Sequence, residues 1–241
     1  MSALLELRNV SKRYGGVAAV NKVSFSVSRG QFLGLMGANG AGKTTLFSLI
    51  AGNQGISEGE ILLRGQSIVG KRPDQICALG VARTFQIVRP FRDMSALENV
   101  YTAALFNVRT SSPAQARSAA ERALEVAGLA SVKECLAGDL TLSKQKRLEL
   151  ARALATGGEL LLLDEIMAGL TPSEVEEMLV TLKDIHREFS LTVICVEHVM
   201  RALMRLSDEI VVLHYGEVMA QGRPQEVADN PDVIRNYFGA A

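Results

Sequence analysis

Val23, Phe25 and Val27 alternate with Ser24 and Ser26, which is the period of a strand with one buried face. Gly30 then turns the chain into Phe32-Leu33-Gly34-Leu35-Met36, a run that is apolar on both faces and predicts a fully covered strand. A glycine-rich stretch follows at 37–42, and residues 44–51 read as a helix closed by Gly52. Residues 56–70 break into short apolar pieces, Ile61-Leu62-Leu63 and Ile68-Val69, set between glycines, which predicts a hairpin of an antiparallel subsheet. From about 94 to 155 the pattern is helical, with Ser112 and Pro113 as N-cap and first-turn proline, Gly128 as a terminator and 148–154 in another helix. Strand and helix then alternate again. Residues 160–163 form a buried strand, Thr171-Pro172-Ser173-Glu174 opens a helix as a capping box, and 191–196 is the next strand. Residues 210–213 and 218–220 flank Tyr215-Gly216 as a hairpin, and the tail from Pro224 is helical.

Composition narrows the partners. The 241 residues are 48% hydrophobic, which suits one large α/β domain or a domain with a smaller insert. Basic and acidic residues balance at 26 each, so no charge surplus recruits nucleic acid, and no nucleic-acid partner is expected. Cys77, Cys135 and Cys195 are odd in number and outside any CxxC spacing, which points away from disulfides and zinc and towards a reducing cytoplasm. The opening MSALLELRNV carries Glu6 and reads as neither signal peptide nor anchor. No apolar run approaches the roughly 20 residues of a membrane span, so membrane association is expected to go through a partner.

The chemistry begins at Gly37-Ala38-Asn39-Gly40-Ala41-Gly42-Lys43-Thr44, which fits GxxxxGK[ST]. Small residues let backbone N–H groups converge on phosphate oxygens, and the following helix adds its positive end. These eight residues and Thr45 are the expected ATP-binding set, with Lys43 reaching the β and γ phosphates and the Thr44 hydroxyl ligating Mg²⁺. The strand at 160–163 delivers Asp164 and Glu165 at its C-terminal end, where open α/β sheets hold ligands. An acidic pair there also fits a helix N-cap; beside the phosphate loop it reads as a nucleotide site. Asp164 is then expected in the Mg²⁺ shell and Glu165 as the group that orients and deprotonates water.

With these motifs in this order, the whole chain resembles the ATP-binding cassette ATPases. The resemblance implies a P-loop NTPase α/β core of mostly parallel sheet with helices, an antiparallel β subdomain and a helical insert. It implies a single domain over 1–241, with the core in 1–86 and 156–241 and the helical subdomain at about 87–155. Tyr14 stands where the family stacks an aromatic on adenine. Gln86, in Arg83-Thr84-Phe85-Gln86, matches the glutamine that senses Mg²⁺ and the attacking water. His198, in Val196-Glu197-His198, matches the histidine that contacts the γ-phosphate, so Glu165, His198, Lys43 and Gln86 form the expected catalytic set. His186 and His214 lack such context and read as surface residues.

The family's LSGGQ signature, which caps the ATP of the opposite subunit, aligns with Leu140-Thr141-Leu142-Ser143-Lys144, where both glycines are missing. Ala168-Gly169-Leu170-Thr171 lacks the aspartate that many relatives carry after the leucine. Both departures are similar to the importers of branched-chain amino acids, as are ARTFQIVRPFRDMSALENV and the ending VIRNYFG. That narrower resemblance implies a peripheral subunit on the cytoplasmic face of the membrane, working with two transmembrane permease subunits and, indirectly, a solute-binding protein. The altered signature points to a second, related ABC ATPase as partner, a homodimer being the alternative. Arg89, Phe91 and Arg92 are the expected permease contact, with a solvated loop as the other reading. The solute itself is open among branched-chain amino acids, urea and amides, and a soluble ABC ATPase acting on nucleic acid or ribosomes is the remaining class.

Overall fold

The computed structural model describes residues 3–107, 110 and 112–237. In chain order its strands and helices are β1 (Ala3–Tyr14), β2 (Val17–Ser28), β3 (Phe32–Gly37), α1 (Lys43–Ile50), β4 (Glu58–Leu63), β5 (Gln66–Ser67), α2 (Pro73–Ala78), β6 (Val81–Arg83), α3 (Ala96–Ala104), α4 (Pro113–Val126), α5 (Leu142–Ala155), β7 (Leu160–Asp164), α6 (Pro172–Phe189), β8 (Thr192–Val196), α7 (Met200–Leu206), β9 (Glu209–His214), β10 (Glu217–Gly222), α8 (Pro224–Ala228) and α9 (Pro231–Tyr237). The chain divides into two compact units, Met1–Ile76 with Thr192–Ala241, and Cys77–Leu191. Phe238 and Gly239 of the VIRNYFG ending lie outside the described residues.

In the first unit an antiparallel sheet runs in the order β2-β1-β4-β5. β2 keeps the expected alternation, with Val23, Phe25 and Val27 buried and Ser24 and Ser26 exposed. β1 is a strand that simple alternation does not announce. Its register slips between Leu7 and Val10, where Asn9 has φ 48°, so the inside-outside pattern changes phase mid-strand. β3 is buried along its whole length and pairs in parallel with both β8 and β9, as a strand apolar on both faces should. The β9–β10 hairpin turns at Tyr215 and Gly216, both left-handed at φ 46° and 81°, which matches the twist of a tight two-residue turn.

In the second unit β6 lies parallel to β7, with Val81 opposite Leu160 and Arg83 opposite Leu162. Helices α3, α4 and α5 close on a core of small and branched residues, among them Val100, Ala116, Ala120, Ala123, Leu148 and Ala151. The alanines permit close helix approach. Ser112 caps α4 by accepting from the Gln115 N–H, with Pro113 at the first position, and Gly128 follows its end at φ 73°. Thr171 and Glu174 form the reciprocal capping box of α6. The helix expected at 148–154 is the second half of α5, which starts at Leu142 with Thr141 as its N-cap.

Candidate nucleotide site

β3 ends at Gly37 and α1 opens at Lys43, so the glycine loop is the joint between a buried strand and a helix N-terminus. Gly42 sits at the N-cap with φ 103°, no side chain caps the helix, and its first turn holds no acidic residue. The positive end of α1 is therefore left to an anion. A Cβ at Gly42 would fall 2.4 Å from the Ala19 carbonyl oxygen, so only glycine lets β2 pass this close. The loop is braced from behind: the Ala41 carbonyl accepts from the Gly216 N–H at 3.1 Å, and the Gly216 carbonyl accepts from the Asn21 N–H at 2.8 Å. Lys43 is buried at 5% exposure, and its Nζ donates to the carbonyls of Gly37 at 2.6 Å and Ala38 at 3.0 Å. Its ammonium thus folds back along the loop, while Ala38, Asn39, Gly40 and Thr44 are exposed and Thr45 half-buried.

Asp164, the last residue of β7, is 2% exposed. Arg83 Nη2 pairs with its Oδ2 at 2.8 Å, and its N–H donates to Thr84 Oγ1 at 3.2 Å. Asp164 Oδ1 is buried and has no hydrogen-bond partner among the described residues. A buried carboxylate oxygen in that state fits a cation ligand. Glu165 is 7% exposed and left-handed at φ 49°, a conformation that costs a non-glycine residue on the order of 1 kcal/mol. Gln86 Nε2 donates to Glu165 Oε2 at 2.5 Å, so the structure brings these two predicted residues together. Lys146, which sequence reasoning did not single out, donates to the carbonyls of Glu165 at 3.0 Å and Gln86 at 3.2 Å.

The other predicted residues are dispersed more widely along the chain. Tyr14, at the end of β1, is 45% exposed; its hydroxyl donates to Gln54 Oε1 and the Lys12 ammonium lies 5.2 Å from its ring. His198 is exposed in the loop between β8 and α7, beside the buried Glu197. His186 and His214 are half-buried rather than fully exposed. In the signature segment Thr141 and Lys144 are exposed, Leu142 is 45% exposed and Ser143 is buried. Leu142 reaches the second departure from the family pattern, since a Cβ at Gly169 would lie 3.2 Å from Leu142 Cδ2. Among the described residues no helix is long and apolar enough to cross a membrane.

A strand, a glycine loop and a helix N-terminus beneath a buried lysine make this a P-loop nucleotide-binding protein. Residues 20–168 match the ABC transporter family model, and 217–241 match the model of the branched-chain amino acid ATP-binding cassette transporter. The chain is 38% identical to the high-affinity branched-chain amino acid transport ATP-binding protein BraF of Pseudomonas aeruginosa, over 99% of this chain and 98% of that one. It is also 38% identical to LivG of Escherichia coli K12, described in the same words, with the same coverage. The ADP conformation of MJ1267, an ATP-binding cassette of an ABC transporter, superposes with a TM-score of 0.88 at 26% identity over all of both chains. The chain belongs to the ATP-binding subunits of ABC transporters, which hydrolyse ATP to drive transport.

Proposed function

We propose that this chain drives import of branched-chain amino acids from the cytoplasmic face of the membrane, bound to two permease subunits and a second ABC ATPase. The observation that carries the solute class is the match of residues 217–241 to the branched-chain amino acid model, joined to 38% identity with BraF along the whole chain. A solute-binding protein on the far side would deliver the amino acid, and Arg89, Phe91 and Arg92 would meet the permeases.

Within this reading each residue has a defined task. The amides from Gly37 to Thr45 and the Lys43 ammonium hold the ATP phosphates, and Tyr14 stacks on the adenine. Thr44, Asp164 and Gln86 are the expected Mg²⁺ ligands, a role the orphaned Asp164 Oδ1 supports. The ion would neutralise charge on the β and γ phosphates. Glu165 orients the attacking water and takes its proton, and His198 contacts the γ-phosphate. Thr141, Leu142, Ser143 and Lys144 face the ATP of the second cassette. Uptake of radiolabelled leucine, isoleucine and valine into vesicles holding the assembled transporter and ATP tests the proposal. Saturable uptake that stops in Glu165→Gln supports it. Uptake of urea or short amides in place of these amino acids would overturn the solute class.

A further inference from the structure

Lys146 is a lysine in a place where lysines are rarely found. It lies on the helix that begins with the signature segment, is only 3% exposed, and shares a helical stripe with the buried Leu150 and Ala153. A buried ammonium must satisfy its donors, and here two of the acceptors are main-chain carbonyls: Gln86 at 3.2 Å and Glu165 at 3.0 Å. These are the two residues whose side chains meet at 2.5 Å.

The Glu165 backbone is left-handed at φ 49°, which an isolated glutamate would leave. Its carbonyl is held by Lys146 and by the Ala168 N–H at 3.2 Å. The next positions along the same helix act on the segment on either side of Gln86. The Glu149 carboxylate accepts from the Phe85 N–H, Arg152 Nη1 donates to the Arg89 carbonyl at 3.2 Å, and the Arg152 guanidinium covers the Phe91 ring at 5.1 Å. Lysine, glutamate and arginine at a spacing of three thus hold the backbone at Gln86, Phe85 and Arg89.

We infer that Lys146 is a positioning residue for hydrolysis, holding Gln86 and the strained Glu165 in register from the helix whose first turn is the signature segment. Its contacts to Gln86 and Glu165 are made to their main-chain carbonyls. Its removal is expected to alter turnover more than ATP affinity, because the strained Glu165 it holds is the group proposed to activate water. The inference rests on Glu165 acting as proposed above.

The test is ATP turnover by the assembled transporter, with Lys146→Met, Lys146→Gln, Lys146→Arg and Glu165→Gln measured side by side. Lys146→Met should lower kcat about tenfold or more and leave KM for ATP within about twofold, and Lys146→Arg should restore at least about half of the loss, as expected for a group that acts only on the chemical step. Lys146→Gln retains a donor but not the reach to both carbonyls, so it should fall between the two and decides the matter if Lys146→Met does not fold. Wild-type kcat in either uncharged variant, or a rise in KM with kcat kept, overturns the inference. If Glu165→Gln itself turns over like wild type, the role proposed for Glu165 fails first; if Glu165→Gln is dead while Lys146→Met and Lys146→Gln are active, only the inference about Lys146 fails.

Discussion

The Gln86 side-chain amide donates to Glu165 Oε2 across 2.5 Å, joining residues 79 positions apart. This contact needs an acceptor oxygen at residue 165 but not a base. Glu165→Gln keeps the oxygen and the size while removing the basicity, so the fold and ATP binding should persist and hydrolysis should not. General-base loss is typically about 10²- to 10⁴-fold in rate. Phosphate release and fluorescent-ATP binding on the same preparation check it, and turnover within about tenfold of wild type would be inconsistent with Glu165 as the base.

Gly42 and Gly40 offer an internal contrast within one loop. Both are left-handed, at φ 103° and 81°, but a Cβ at Gly42 meets the Ala19 carbonyl at 2.4 Å whereas one at Gly40 meets nothing within 4 Å. Gly40→Ala should therefore cost only conformational strain, about 1 kcal/mol. Gly42→Ala must also push the loop off β2, and ATP affinity should fall by more than about tenfold, or 1.4 kcal/mol. Equilibrium ATP binding by both variants makes the comparison, and equal affinities would contradict the close-approach argument.

The phosphate loop was legible because its chemistry is local: strand, glycines, lysine and helix follow one another within residues 32–50. The capping box at Thr171 and Glu174 was legible for the same reason. β1 was not, because its slip at Asn9 breaks the alternation that marks a strand. β6 escaped as well, being three residues whose parallel partner lies at 160–162. The Gln86–Glu165 contact spans two distant segments, so local pattern could not pair them; Glu165 was marked by its place after the 160–163 strand, Gln86 only by family resemblance. Lys146 carried a usable signal: with Leu150 and Ala153 it continues an apolar face, and a lysine on such a face calls for buried partners.

The carboxylates of Glu149 and Glu174 should give stability opposite pH dependences. Burial is the largest influence on Glu149 and raises its pKa above the ordinary value, against the nearby Arg152 and Lys146. A raised carboxyl favours the protonated native state, so its contribution is full below the unfolded pKa of about 4.3 and is lost as pH rises through the folded value. Glu174 is held below its usual range by the Thr171 backbone N–H, then by the Thr171 hydroxyl. Its contribution is present above the unfolded value and lost as pH falls. Melting temperatures across acid to neutral pH should therefore show Glu149→Gln gaining on wild type as pH rises and Glu174→Gln losing ground. Parallel curves for both variants would count against these assignments.

Leu142 ties the two departures from the family pattern into one feature. It occupies the first position of α5, remains 45% exposed, and lies against Gly169 in the loop where many relatives carry an aspartate. At this position a leucine side chain stands at the helix start, where the family's glycine would let the amides approach a phosphate held by a facing subunit, and the neighbouring Ser143 is buried in this chain. This is the feature on which the proposed pairing with a second ABC ATPase rests. Replacing Leu142 and Ser143 with glycine should expose that helix end, at a cost of about 1 kcal/mol in stability per glycine. In the assembled transporter, ATP turnover should rise several-fold as the weaker of the two ATP sites gains its closing contact. The comparison requires the glycine variant and wild type at matched assembly, checked by size and melting temperature. Unchanged turnover in an intact complex would mean that Leu142 does not limit the facing site.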